Sequence, residues 1–461
     1  MEGGSRAIDA LSADGEHSAA GTAKGAVGLP EEVPVSESDS ALPGFYSREF
    51  VSNPYAAYDY LRRTGPVRRI HRAGVPVWLV TSYDEVRLVL TDQRFVKEPA
   101  RWPVPIEEAD PGLGGLRHFV GKHLLYADPP HHTRLRRLVS KAFTPRRVTE
   151  FEPMIRTVVD ELLKQFDERD EIDLVGWFAV PIGTTVICEM LGIPAAERKD
   201  FRRWSLPLVS DDESARSSAE LAAGRRVALA QLSDYLGALI RQKRARPTPD
   251  LLSALIEARD GDGRLSETEL VAMALLLLIA GHETTVNLIG NAMLALLTHP
   301  DQAELLRGRP DLIPGAIEEL VRYEGSVMIC SLRVTGEPVE LGGVRIPEGE
   351  LVMAVVAAAD RDPARFADPQ RLDVTRPSNP HLGFGAGVHY CVGAPLARLQ
   401  SRIAIGELLR RYPRMELAVP RHELSWHPSI SLRGLHTLPV APHGLGRAAA
   451  GPAVVGGARG R

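Results

Sequence analysis

The sequence predicts a mainly helical fold with smaller β-sheets, built as a single domain. Three observations predict it. Apolar residues recur at helical spacing through residues 151–166, 218–244 and 396–411. A long capped helix begins at Ser266. Strand-like runs are short, near 77–80 and 351–356. A chain of 461 residues would suggest about three domains by length alone. No strong linker and no fixed-period repeat divides the interior, so one extended unit is expected over residues 45–440. Residues 1–44, rich in Gly, Ala and Ser, read as a flexible leader without the basic and apolar pattern of a secretory signal. Residues 441–461 read as a flexible Gly/Ala-rich tail.

Composition narrows the function classes. Hydrophobic residues make up 44% and charged residues 25%, enough apolar material for a sizeable core. Net charge is -4 from 55 basic and 59 acidic residues, which gives no chain-wide reason to bind nucleic acid or an anionic membrane. The apolar run from Leu270 to Gly281 is shorter than the roughly 20 residues of a membrane span. A soluble, cytoplasmic protein is therefore expected. Three cysteines cannot form a disulfide framework and point to a reducing compartment.

The long helix carries the first chemical signal. Ser266-Glu267-Thr268-Glu269 has capping-box spacing, and His299-Pro300 marks an end, so about 48 Å of helix is expected. Met273 to Ala280 is apolar on every side, which suits a buried central helix. Gly281-His282-Glu283-Thr284-Thr285 then interrupts it. One reading is a local kink whose polar groups are satisfied by neighbours. The other is a widened helix beside a small ligand, where Ala280 and Gly281 leave room and Glu283 and Thr284 hold water in a proton path.

The second signal lies between Phe384 and Gly393, where Gly385, Gly387 and Gly393 surround His389 and Cys391. Ala394-Pro395-Leu396 opens a helix whose positive end lies near Cys391 and favours a thiolate. Cys188 and Cys330 read as packing residues. No CxxC pair or dense histidine cluster supports zinc, whereas haem needs one proximal protein ligand. Two further spacings are ambiguous alone. Glu319 and Arg322, three apart in a short helix that starts at Pro314 and stops at Gly325, read by themselves as an exposed ion pair. His132 and Arg136, four apart, read by themselves as a solvated basic face.

Taken in order, Ala280-Gly281-His282-Glu283-Thr284, Glu319-x-x-Arg322 and Phe384-x-x-Gly387-x-His389-x-Cys391-x-Gly393 resemble the cytochrome P450 family, over about residues 45 to 440. The resemblance implies that family's fold, with a long central helix over haem b (iron protoporphyrin IX). It implies Cys391 as the metal ligand, with Phe384, His389 and Gly393 in the haem loop. His132, Arg136, Arg333 and His389 resemble the residues that receive the haem propionates. Arg376 completes a buried network with Glu319 and Arg322. Ala280, Gly281, Glu283 and Thr284 match the oxygen-activating segment.

A monooxygenase of this kind uses dioxygen and two electrons. No flavin or NAD fingerprint occurs in the chain, so ferredoxin and ferredoxin reductase are expected to deliver electrons from NAD(P)H. The basic run Arg134-Leu135-Arg136-Arg137 with Lys141, Arg146 and Arg147 is the expected docking face. Residues 128–136 and Arg361-Asp362-Pro363 look like actinobacterial enzymes of secondary metabolism, which implies macrolide or polyketide hydroxylation in antibiotic biosynthesis. Epoxidation, multistep oxidation, and terpenoid, steroid or fatty-acid substrates are the alternatives, and a noncatalytic haem sensor is a further one. His131 stands where that subgroup often has an acid, and residues 325–330 lack a proline often found there. Substrate contacts are expected near residues 101–125, 201–230, 327–328 and 429–430. A monomer without a membrane anchor is expected.

Overall fold

Ser266 starts the element on which the others are hung. Its hydroxyl accepts the Glu269 N–H at 3.2 Å, and the Glu269 carboxylate accepts the Ser266 N–H at 2.8 Å, so each satisfies a donor the helix start would leave bare. The computed structural model describes residues 47–72, 75–105, 119, 121–209, 218–258 and 263–445. In chain order the helices that matter to the site are α1 (Pro54–Thr64), α2 (Tyr83–Thr91), α3 (His131–Ala142), α4 (Glu152–Leu163), α5 (Val180–Leu191), α6 (Ser218–Ala245), α7 (Glu267–Thr298), α8 (Ile313–Glu324) and α9 (Ala394–Arg411).

Helix α7 is the axis, packed by α5, α6, α8 and α9. By length and composition it could cross a membrane, but its apolar residues belong to the interior cluster that also takes in α4, α5 and α9. A Cβ on Gly183 would meet Val286 Cγ2 at 2.8 Å, so the missing side chain lets α5 lie close against α7. The helix is unbroken through residues 281–285, and the expected widening is not found. Thr284 instead donates its hydroxyl to the Ala280 carbonyl at 2.6 Å, a bond that fits inside ordinary α geometry. A π-helical turn occurs at Val175–Ala179, on the chain that packs against α7.

A five-stranded sheet flanks the helices, with strands β1 (Val67–Arg72), β2 (Val75–Val80), β3 (Phe95–Val96), β4 (Arg333–Thr335) and β5 (Leu351–Ala354) in the order β1-β2-β5-β4-β3. Strand β2 pairs antiparallel with β1 and parallel with β5, where Val80 lies opposite Ala354. The strand expected at 351–356 stops at Ala354. Val355 still donates to Val80 at 2.9 Å, but Val356–Ala359 turns helical, as its run of alanines favours. Strand β3 is only two residues long, yet its antiparallel pairing with β4 brings Lys97, the residue that follows it, beside Arg333.

Candidate functional site

Cys391 sits in a loop whose shape depends on glycine. Gly385 and Gly387 have φ of 72° and 68°. A Cβ on Gly387 would come within 2.9 Å of the Leu90 carbonyl, so this residue lets the loop seat directly on the end of α2. Cys391 N–H closes the loop onto the Phe384 carbonyl at 2.9 Å, and Pro395 stands in the first turn of α9 just beyond. Of the three cysteines, Cys188 is buried, Cys330 half-buried and Cys391 exposed.

The expected preference for a thiolate is not met by the protein alone. Part of the Cys391 side chain is open, but the crowded loop desolvates the sulfur and raises its pKa. The Gly393 and Ala394 amides and the charges of Arg136 and Arg398 only oppose that rise. A metal ion at this position would favour the thiolate, since a coordinating thiol gives up its proton.

Beside the loop, α3 and the sheet assemble buried cations. His132 and His389 place their ring centroids 4.3 Å apart. Arg333 and Lys97 are buried where β4 and β3 pair, and Arg136 lies one helical turn beyond His132. Burial lowers His132 to about 4, with Arg136 and Lys97 adding to the effect. Burial likewise lowers Arg136, Arg333, His389 and Lys97.

Three buried atoms in this cluster, His132 Nε2, Arg136 Nη1 and His389 Nδ1, have no hydrogen-bond partner in the structure. Buried polar atoms without a partner are costly, and three that lie together beside the Cys391 loop leave room for a polar group of a ligand. The set fits a flat cofactor with a sulfur-bound metal and an anionic carboxylate edge, as haem has. His132 and Arg136 are therefore not a solvated face.

On α7, Ala280 and Gly281 are exposed although buried residues flank them along the same helix, so this stretch borders open space. Glu283 and Thr284 are half-buried beside it. His282 turns elsewhere and meets Thr184 on α5 at 3.0 Å.

Helix α8 braces the other side of the loop. Glu319 and Arg322 have side chains only 1% and 0% exposed, which rules out the surface-pair reading. Arg376 donates to Glu319 at 3.0 Å, as the resemblance implied. Sequence reasoning missed the neighbouring clamp. Glu318 accepts a forked pair of bonds from Arg398, both at 2.7 Å, and one contact from His381 at 3.1 Å. Burial raises the Glu318 pKa, but these partners outweigh it and hold it at about 2. Arg398 also covers the Phe384 ring at 4.4 Å, tying the loop to α8 and α9. Arg398 follows Cys391 by seven positions and carries no motif of its own. Lys97 was missed as well.

The remaining sequence expectations divide. Met328 N–H donates to the Ser431 carbonyl at 2.9 Å and Val327 bridges Leu432, so the two short substrate segments near 327–328 and 429–430 lie side by side. Most of 101–125 and the middle of 201–230 lie outside the described residues. The expected basic run is not a uniform patch. Arg134 binds Glu269 and the Arg264 carbonyl, Arg147 reaches the Asp250 carbonyl, and Arg146 pairs with Glu150. His131 lies 3.3 Å from the same Glu269, so an acid from α7 stands beside the position where the resembled subgroup often has one. Among the described residues no group of three or more His, Cys, Asp or Glu side chains could hold a metal ion.

Comparison with known proteins matches residues 45–200, 220–308 and 311–424 to the family described as Cytochrome P450. The chain is 44% identical over 396 residues to the Vitamin D(3) 25-hydroxylase of Pseudonocardia autotrophica, covering 86% of this chain and 95% of that one. It is 43% identical over 387 residues to the Mycinamicin IV hydroxylase/epoxidase of Micromonospora griseorubida, covering 83% and 94% respectively. The solved structure of the Bacillus subtilis 168 bacillaene polyketide synthase cytochrome P450 PksS aligns with a TM-score of 0.79 at 36% identity, over 87% of this chain and 99% of that one.

Proposed function

The chain belongs to the cytochrome P450 family of haem-dependent monooxygenases, and we propose that it hydroxylates a macrolide or related polyketide with dioxygen and electrons from a ferredoxin system. The observation that carries this reading is the convergence of one open cysteine and a cluster of orphaned buried donors on a single site. Cys391 would hold the iron and Phe384 and Gly393 would shape the loop around it. His132, Arg136, Arg333 and His389 would receive the propionates. Haem, when bound, supplies the iron at which dioxygen is activated.

The chain's own residues supply space and protons. Ala280 and Gly281 leave room on the face of α7. The Thr284 hydroxyl, already fixed on the Ala280 carbonyl, is poised to exchange that bond for one to an incoming oxygen and pass a proton. Glu283 organises the solvent that replenishes it. Thr284→Ala is therefore expected to keep haem and substrate binding but lower product formed per reducing equivalent by about an order of magnitude. Unchanged coupling would remove Thr284 from proton delivery.

Two relatives support the substrate class: one is named for hydroxylation or epoxidation of mycinamicin IV, the other for a polyketide synthase. The first name also keeps epoxidation within the same chemistry. The relative named for vitamin D(3) makes a secosteroid the second reading. We place electron entry on α3, whose Arg136 acts electrostatically on Cys391 and whose Arg137 and Lys141 add positive charge for an acidic ferredoxin. The same reading has residues 45–440 as the working domain of a cytoplasmic monomer.

The test is a panel of macrolides, linear polyketides, secosteroids, terpenoids and fatty acids, screened for a haem spectral shift. A reconstituted electron-transfer assay then follows mass gain at low and high salt. Macrolides or polyketides giving both shift and product, with reduction slowed by salt, is the expected result. Product from secosteroids alone would replace the substrate class, and binding without turnover under any donor would restore the sensor reading.

A further inference from the structure

One buried cation at the site has no role in the account above. Lys97 follows β3 and exposes 1% of its surface. Asp128 is the acid nearest to it, but that carboxylate accepts the backbone N–H groups of Lys97 and Glu98 at 2.9 and 2.8 Å. Among the described residues the Lys97 ammonium has no hydrogen-bond acceptor and no ion pair, and its recorded contact is the face of Tyr126, with Nζ 5.7 Å from the ring centroid. A buried ammonium is retained only where an anion or a set of acceptors meets it.

Its electrostatic neighbours show which anion. Lys97 and Arg333 repel each other, and Lys97 also repels His132 and His389, which is the same set of donors that faces the cofactor edge. The cluster gathers positive charge and hydrogen-bond donors from β3, β4, α3 and the Cys391 loop against a single protein carboxylate, that of Asp128, whose bonds go to backbone N–H groups rather than to the Lys97 ammonium. We propose that Lys97 is a further anchor of the haem carboxylates, its ammonium binding a propionate oxygen. Because the Tyr126 ring under the Lys97 ammonium packs edge to face on Trp102 at 5.8 Å, this bond also ties those two rings to the cofactor edge.

The inference rests on the haem reading of the site, and its test separates the two. Haem transfer from the purified holoprotein to apomyoglobin is timed for wild type, Lys97→Met and Lys97→Gln, and the propionate bending band is recorded by resonance Raman. Loss of one charge-assisted hydrogen bond is expected to speed haem release by about tenfold or more and to shift the propionate band in both variants. Should Lys97→Met not fold, Lys97→Gln carries the same comparison. Unchanged release, or faster release with an unmoved propionate band, would overturn the assignment by leaving Lys97 a packing role. A wild-type protein without a porphyrin spectrum would instead overturn the haem reading itself.

Discussion

Replacing Cys391 with alanine is expected to abolish the thiolate-type carbon monoxide absorption and to reduce monooxygenase turnover to background. The sulfur is the one cysteine side chain open to a cofactor, because Cys188 is fully buried in the helical core and Cys330 is half-buried with its N–H bound to the Ala354 carbonyl. Without a thiolate there is no electron push toward oxygen–oxygen bond cleavage. Porphyrin retention is the wrong measurement for this variant. His132, Arg136 and Arg333, proposed to receive the cofactor's carboxylates, stand on elements other than the Cys391 loop, so porphyrin is expected to persist in part. Cys391→His sharpens the comparison by restoring a ligand but not the push. The check is the reduced carbon monoxide spectrum read beside product formation, and an unchanged band in Cys391→Ala would move the axial ligand to another residue.

The sequence made this site legible where local spacing alone dictates geometry. Ser266 and Glu269 build their capping box from residues three apart, and Gly387 announces a close backbone approach that turns out to be onto α2. Groups whose meaning depends on partners far along the chain were not legible in the same way. Lys97 carries no sequence signal of its own, and its place becomes visible only when β3 pairs with β4 and sets it beside Arg333. Glu324 reads as the end of a helix, yet it is buried between Tyr55 and Arg433 and so joins α1 to the chain after residue 430. The surroundings of the Cys391 sulfur divide in the same way. The helix start beside it is visible in sequence, while the desolvation that outweighs it comes from the folded loop. At residues 281–285 the glycine suggested a break, but the Thr284 hydroxyl bonds back within an intact helix, leaving the exposed face of Ala280 and Gly281 as the usable feature.

Arg322→Lys is expected to destabilise the protein by roughly 3 kcal/mol or more, although it preserves charge. Arg322 has five N–H donors and the fold uses all of them. Nε and Nη2 bind the two Glu319 oxygens at 2.7 and 2.8 Å. The remaining donors reach the carbonyls of Asp360, Pro369 and Arg371 at 3.0, 2.8 and 3.0 Å. Glu319 is equally committed, since it also accepts from Asp373 N–H, Arg376 and Asn379, each at 3.0 Å. A lysine ammonium has three donors on a flexible stem and cannot span that plane, so buried carbonyls and part of a buried carboxylate lose their partners. The damage should spread to cofactor loading, because the same α8 helix holds Arg398 through Glu318 and Arg398 lies over Phe384 in the Cys391 loop. Thermal unfolding and the porphyrin-to-protein absorbance ratio should therefore fall together in Arg322→Lys. Glu319→Gln, which keeps shape but turns an acceptor into a donor, should do the same. A lysine variant that melted and loaded haem like wild type would show that the network is not what holds this side of the loop.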